Sequence, residues 1–529
     1  MRVSLVLFVY VFHLVKSYNI LGILPHESKS HSALMSSLMN ELIDRGHSVT
    51  LISYSAQSEV RSNFREIILH SRRAKDNHKM NVTLSKYTNL ETLVEYNMIR
   101  EVNLVHDLAK DTCEDGIFQP EIHQLIRNHW SGQDRFDLVL IQAFNNDCFL
   151  GLVHRLKVPF LQLSTTTMFT WFHSRFGVTF NPAFNPNIWM GTTGRMNFFE
   201  RMVNMLVDVY ARMMYFYVLQ PRDYELVKRA FGDDLPPLEK IAHGASVILE
   251  HTHFSLMPPR ALNPGHIQIC GFHIPKIVKP LNENIEKWIN ESKDGVIYFS
   301  MGSMIKGHTF PEEKRKIFLK AFGRLKQRVL WKWENETMPD KPDNVMIQKW
   351  MPQYDILCHP NVKAFIAHGG LLGTTEAVHC GVPVVVMPQF GDQHTNARAL
   401  EAGGGGVVLN FREADEEMVY NALKTVLDPE FNKKAKELSA RFRDRPMSPM
   451  DTAIYWIEYV ARHKGAHHMR TAAVGMPLYQ YLLLDVFGFL AVCTLSILFI
   501  GIYVTKLFFR LVMSMFSKSD KKQKKLKKN

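Results

Sequence analysis

Between Trp350 and Gln393 the sequence WMPQYDILCHPNVKAFIAHGGLLGTTEAVHCGVPVVVMPQFGDQ gathers the residue types that a diphosphate ligand needs. Residues 362–367 are apolar enough for a buried parallel strand and run into His368-Gly369-Gly370, after which Thr374 or Thr375 can cap a short helix carrying Glu376. Paired glycines let backbone approach a ligand closely, and the free N–H groups of a first helical turn favour an anion. A second strand, residues 382–387, ends at Pro388 and delivers Asp392 and Gln393 to the same sheet edge, where open parallel sheets bind ligands. A second candidate lies far upstream. His31 opens a helical pattern of Leu34, Leu38, Leu42 and Ile43, directly after a strand at residues 19–24. The positive end of that helix disfavours imidazolium, which suits a general base near neutral pH.

The spaced pattern Trp350-x-Pro352-Gln353, Phe365-Ile-Ala-His368-Gly-Gly370, Glu376, Gly381-x-Pro383, Pro388 and Asp392-Gln393 resembles the UDP-glycosyltransferases, which include the glucuronosyltransferases. The resemblance implies that Trp350 stacks on uracil and that Gln353 bonds the uridine. It gives the diphosphate to His368 and to the amides from Gly370 through Gly373 to Thr374, with Ser303 of the turn Met301-Gly-Ser an additional phosphate contact. Glu376 then takes the ribose hydroxyls, and Asp392 and Gln393 the hydroxyls of the transferred sugar. Ser30-His31 ahead of ELIDRGHSVT resembles the family's first-domain motif, which makes His31 the catalytic base. In the family an acid from a first-domain loop orients that histidine. Ungapped alignment puts Gln142 there, and the nearest acid is Asp147, expected to fold back to the same place. Ala367 and Leu372 stand where many members have Thr or Ser and Asn, and Leu371-Leu372 looks like invertebrate members.

With 529 residues the chain has room for two core-forming domains. Its formal charge of +12 does not mark a nucleic-acid partner, because residues 506–529 hold nine Lys or Arg against Asp520 and so carry +8 of it. Residues 1–17 read as a signal peptide. Residues 481–505, uncharged from 486 onward, read as one transmembrane helix, and the Lys-rich tail 506–529 after it puts the body in a lumen by the positive-inside rule. Lys525-Leu-Lys-Lys-Asn529 resembles a dilysine retrieval signal, so the expected location is the endoplasmic reticulum membrane in single-pass type I orientation. Sequons at Asn81, Asn290 and Asn335 are consistent with that side. Five cysteines outside the span have no metal-type spacing; a disulfide framework is not expected, although one pair could form.

The elements that must position these residues follow a repeated strand-helix plan. Strands are expected at residues 19–24, 49–53, 136–141, 158–163, 247–249 and 267–270, with residues 60–135 mainly helical and 90–109 the longest helix. The aromatic and Met-rich helix 196–217 reads as core rather than as an acceptor-pocket lining or membrane surface. A linker at 274–284 separates this acceptor domain, 18–273, from a donor domain, 285–447, with strands at 296–300, 329–333 and 346–348 and helices at 314–324 and 416–427. The resemblance implies that residues 448–463 cross back onto the first domain, within a crossing and membrane-proximal segment 448–480. The expected fold is α/β: two Rossmann-like doubly wound domains facing a cleft, the GT-B arrangement.

The resulting expectation is an inverting transferase that moves a hexose, glucose rather than glucuronic acid, from a UDP-sugar to a hydroxyl of small lipophilic acceptors. No Asp-x-Asp pair is placed to bind a metal, so no metal or other cofactor is expected. A glucuronate carboxylate would call for a cation, for which Arg260 and Lys276 are the candidates. The rival is a catalytically silent UDP-sugar-binding partner subunit, supported by Gln142 and opposed by intact His31 and Asp392-Gln393. Homo- or hetero-oligomers are compatible with either.

Overall fold

The structure is a computed structural model that describes residues 17–26, 28–55, 61–70, 89–92, 95–178 and 181–526. The expected signal peptide up to residue 16, the sequon at Asn81 and the last three residues lie outside the described residues.

Two parallel sheets build the body. The first holds β1 (Asn19–Leu24), β2 (Ser48–Ser53), β3 (Phe64–Ile68), β4 (Leu138–Gln142), β5 (Phe160–Ser164), β6 (Ile248–Glu250) and β7 (His266–Gln268), in the order β3-β2-β1-β4-β5-β6-β7. The second holds β8 (Val296–Ser300), β9 (Arg328–Lys332), β10 (Val345–Gln348), β11 (Val362–Ala367), β12 (Val384–Val386) and β13 (Gly406–Val408), in the order β10-β9-β8-β11-β12-β13. Helices cover both faces, so β4 and β8 are buried along their whole length and read as continuous apolar runs. Strand order reverses between β1 and β4 in one sheet and between β8 and β11 in the other. Ligand crevices form at such switch points. Register brings the carboxyl ends level: Ile23 pairs with Ile141, and Ala367 with Ser300.

Apolar clusters fill both faces of each sheet. The helix Pro449–Arg462 presses Ile454, Ile457 and Val460 into the first-sheet cluster that contains Leu34 and Leu38, and Glu458 meets His47 at 3.2 Å. The two sheets thus belong to one compact unit that runs to Thr471. Residues from Ala472 form a second unit, whose Leu484–Leu526 helix is long and apolar enough to cross a membrane over Leu484–Phe516, mean hydropathy 2.4.

Three expectations change. Residues 60–135 contain the edge strand β3, hidden by its polar Arg65-Glu66, and the long helix runs Met98–Gly116, started by the Asn97 side chain accepting from the N–H groups of Ile99 and Arg100. The helix Phe198–Met214 packs Val207 and Ala211 into the core, as expected, but turns Phe198, Phe199, Leu206 and Met213 outward, so only one of its apolar faces is core. Two disulfides form, Cys113–Cys148 and Cys358–Cys380, each joining helical segments that only the packed fold brings together. Among the elements that had no expectation are the helices Gln220–Phe231, Gln393–Ala402 and Pro429–Arg443 and strand β13.

Candidate active site

A cleft of about 450 Å³ lies where the carboxyl edges of the two sheets face one another. From the first sheet it is lined by His26, His31, Phe144, Thr165, Phe169 and Trp189; from the second by Ser303, Trp350, Gln353, His368, Glu376 and Asp392.

The turn after β11 shows why glycine is needed. Gly369 has φ +86°, and a Cβ there would stand 2.9 Å from Val386 and 3.0 Å from the Gln393 carbonyl oxygen. Gly302 after β8 has φ +81°, and its Cβ would lie 2.5 Å from His368 Cε1. Backbone from both strands therefore closes on the His368 ring. Burial, with the Lys332 charge, holds that imidazole near pKa about 4, so it is neutral, and its Nδ1 has no partner. The helix Leu371–Cys380 is capped by Gly370, not by Thr374 or Thr375. Thr374 N–H bonds the Gly370 carbonyl at 3.0 Å, and the Thr375 hydroxyl bonds the Leu371 carbonyl at 2.7 Å. The Thr374 amide is consequently not free for a phosphate. The N–H groups of Leu371, Leu372 and Gly373 form the orphan first turn, a ready anion cradle.

Gln353, first in a short helix, donates to Glu376 Oε2 at 2.6 Å. The Cys358–Cys380 disulfide fastens the end of that helix to the helix bearing Glu376, so both side chains are held at one place. Burial raises the Glu376 carboxyl to about 7. Trp350 is 69% exposed, an aromatic face free to stack, with Lys332 Nζ 5.9 Å from its ring centre. Ser303 sits on the turn after β8 and lends its carbonyl to Lys306 at 3.3 Å. Asp392 caps the Gln393–Ala402 helix and accepts from Asn396 at 2.8 Å, while burial lifts its carboxyl to about 6. Asn396 also donates to the Gly369 carbonyl at 2.9 Å, tying the turns after β11 and β12 together. Gln393 spends its Oε1 on the Gln389 and Phe390 amides, at 2.9 and 3.3 Å.

Across the cleft, His31 is the third residue of the Lys29–Asp44 helix. The Gln142 amide nitrogen lies 2.6 Å from His31 Nδ1 and 3.1 Å from the Thr165 hydroxyl, which is itself 3.0 Å from Nδ1. Gln142 Oε1 meets no partner. Turned over, the amide sets that oxygen on Nδ1–H, which fixes the proton on Nδ1 and leaves Nε2 basic. His26 stacks on His31 with ring centres 4.3 Å apart, and Phe144 meets both edge-on. Burial, with His26 adding to it, drives the His31 pKa well below the usual value.

Asp147 does not serve His31. Its carboxylate is buried in a bidentate pair with Arg175, Nη1 to Oδ1 at 3.0 Å, with the Tyr215 hydroxyl as a further donor. Five residues past the end of β4, it points into the helical layer and not to the sheet edge. Arg260 and Lys276 are also spent elsewhere: Arg260 on the buried Glu250, Lys276 on Glu41 at 3.2 Å, and neither lines the cleft. Thr165, His26 and Glu101 are cleft residues the sequence reading missed. Glu101 had one sequence signal, a carboxylate on the stripe shared with Val105, Ala109 and Cys113. Of the sequons, Asn335 is exposed on a turn, and Asn290 is exposed but followed by the buried Ser292, whose hydroxyl bonds the Trp288 carbonyl at 2.7 Å.

Residues 20–522 match the family profile described as UDP-glucoronosyl and UDP-glucosyl transferase. The chain is 41% identical to UDP-glycosyltransferase UGT5 of Dactylopius coccus, over 97% of each chain. It is 37% identical to UDP-glucosyltransferase 2 of the same organism, over 96% of each. Among solved structures, the calicheamicin glycosyltransferase CalG4 superposes with TM-score 0.58 at 16% identity, covering 84% of this chain and 99% of its own, which marks a shared GT-B fold.

Proposed function

Since the chain belongs to the UDP-glucuronosyl and UDP-glucosyl transferase family, we propose that it is an inverting hexosyltransferase in which His31 is the general base. The observation that carries this reading is the pairing of a neutral, oriented His31 on one wall of the cleft with a diphosphate cradle on the other. His31 Nε2 takes the proton of an acceptor hydroxyl, and the oxygen attacks the anomeric carbon from the face opposite UDP. The bond to the diphosphate breaks as the new one forms, so an α-linked donor gives a β-glycoside. The leaving diphosphate meets the first-turn amides of Leu371 to Gly373 and the His368 imidazole; in this reading those N–H donors, and not a metal ion, carry its charge.

Leu104, Val105, Leu108, Phe169 and Trp189 make the His31 side of the cleft apolar, which supports a small lipophilic acceptor. Glucose is the proposed sugar. Asp392 supplies a hydroxyl acceptor, Arg260 and Lys276 are committed away from the cleft, and a relative at 37% identity is named a glucosyltransferase. The apolar Leu484–Phe516 helix supports membrane association. A lumenal body in the endoplasmic reticulum is supported by the two disulfides, which persist in oxidising compartments.

The test is turnover of UDP-glucose with a phenol by the full chain in microsomes, with the anomeric configuration of the product read by NMR. His31→Ala should lose on the order of a hundredfold or more, as removal of a general base does, with UDP affinity intact. An α-glycoside product, or undiminished turnover without His31, overturns the mechanism.

A further inference from the structure

The helix Met98–Gly116 of the first half places a carboxylate where its neighbours on the stripe are apolar. Glu101 is only 3% exposed, yet it lines the cleft. Its Oε2 accepts from the Gly391 N–H at 3.1 Å, so a residue of the acceptor half holds the turn that carries Asp392. Two more contacts clasp the same turn. The Tyr96 ring lies against His394 with centres 3.9 Å apart while its hydroxyl donates to the Trp189 carbonyl, and the Thr395 hydroxyl donates to the Ile188 carbonyl at 2.7 Å. Glu101 and Asp392 both bear electrostatically on Tyr96 and both line the cleft, which puts two carboxylates at its sugar end.

We propose that Glu101 is a sugar-specificity residue: seated on Gly391 N–H, its carboxylate accepts a hydroxyl of the transferred hexose and turns away a uronic acid. The inference rests on the UDP-hexose reading above. Its chemistry is one-sided. An ionised carboxylate only accepts, so it pairs with a neutral hydroxyl and repels a second carboxylate in a site where charge is poorly screened. The exclusion depends on Glu101 being ionised. Burial raises its carboxyl to about 7, offset in part by the Gly391 N–H and by Arg100 on its own helix. Of the titratable groups on the turn it holds and beside it, burial lifts Asp392 to about 6, lowers His394 to about 4, and keeps Tyr96 neutral. Discrimination against the uronic acid should therefore climb as pH rises through about 7.

The experiment measures kcat/KM for UDP-glucose and UDP-glucuronic acid with one shared phenol, from pH 6 to 8.5, in the full chain and in Glu101→Gln and Glu101→Ala. The Gln variant keeps an oxygen for the Gly391 N–H and removes only the charge. Expected results are a UDP-glucose preference that grows with pH in the parent, and a ratio at least tenfold smaller and flat with pH in Glu101→Gln, with affinity for UDP alone unchanged in both variants. A ratio and pH trend that survive both substitutions overturn the assignment, as does a parallel fall in UDP affinity, which would mark a role in folding the turn. Lys29 is the other charged first-half residue on the cleft wall; a parent that prefers UDP-glucuronic acid and loses that preference in Lys29→Met also overturns it. Turnover with an unaltered ratio sinks this inference alone, whereas no turnover with either donor sinks it together with the UDP-hexose reading.

Discussion

Replacing Gln142 with Glu puts a carboxylate 2.6 Å from His31 Nδ1 with almost no change of shape, in a place where the parent offers only an amide and the Thr165 hydroxyl. In the parent, burial and the His26 ring hold the His31 pKa well below its usual value, so the imidazole stays neutral and competent far into the acid range. A unit charge about 4 Å from an imidazolium is worth about 4 kcal/mol at the effective dielectric of protein sites. Desolvating a new carboxylate cancels part of this, and a net of about 2 kcal/mol corresponds to roughly 1.5 pK units at about 1.36 kcal/mol each. The sign follows directly. A raised pKa means the variant is protonated, and silent, in mildly acidic buffer where the parent still works. Above the new pKa its stronger base should turn over at least as fast as the parent. The assay is kcat/KM for UDP-glucose with one phenol from about pH 3.5 to 9, low enough to follow the parent's depressed acidic limb, and that limb should move up by roughly one to two units in the variant. Gln142→Ala should lose only about 1 kcal/mol, roughly fivefold, because one neutral hydrogen bond goes while Thr165 remains. An acidic limb that stays put in Gln142→Glu would refute the orientation of His31 by Gln142.

Other outcomes follow from the same geometry. Asp147→Asn should lower stability by about 3 kcal/mol, since it strips the buried Arg175 of one of its carboxylates, and denaturant unfolding should show it while the pH profile of the folded fraction keeps its shape. Gly302→Ala should weaken UDP binding at least tenfold, measured by calorimetry, because its Cβ would drive into the His368 ring at a backbone angle of φ +81°. Asn335→Gln should remove a glycan seen as a gel-mobility shift, while Asn290→Gln should leave mobility unaltered because the buried Ser292 locks its sequon into the helix end.

The donor half was legible in the sequence because its chemistry is local. Strand β11, the His368-Gly369-Gly370 turn and Glu376 lie within 15 consecutive residues, and the glycine at positive φ is required where the turn passes close to Val386 and Gln393. The strand bounds 19–24, 296–300 and 362–367 agree with the structure because apolar runs buried on both sides leave a strong pattern, and the helix bounds 416–427 because Val419, Ala422, Leu423 and Val426 repeat at helical spacing. Even here the finer chemistry needed coordinates, since which residue caps the Leu371–Cys380 helix decides which amides are free, and Thr374 lost its assigned role to Gly370.

What depends on distant parts of the chain was decided by the tertiary structure alone. His31 and Gln142 are 111 residues apart and meet because β1 and β4 are neighbours at the switch point of the first sheet. Proximity in sequence favoured Asp147, but the chain turns inward after β4, and burial next to Arg175 gives that carboxylate a stronger partner than a neutral imidazole. The disulfides, 35 and 22 residues apart, carry no spacing signature, and they form because helices dock. Glu101 and Gly391 stand 290 residues apart on opposite halves. The sequence determined which residue types could bind a UDP-sugar, because each motif satisfies its own backbone locally. Only the tertiary structure decided the partners: strand order within the first sheet set Gln142 beside His31, and the docking of the two sheets set Glu101 on the Gly391 turn, because a charge goes where burial leaves it a partner.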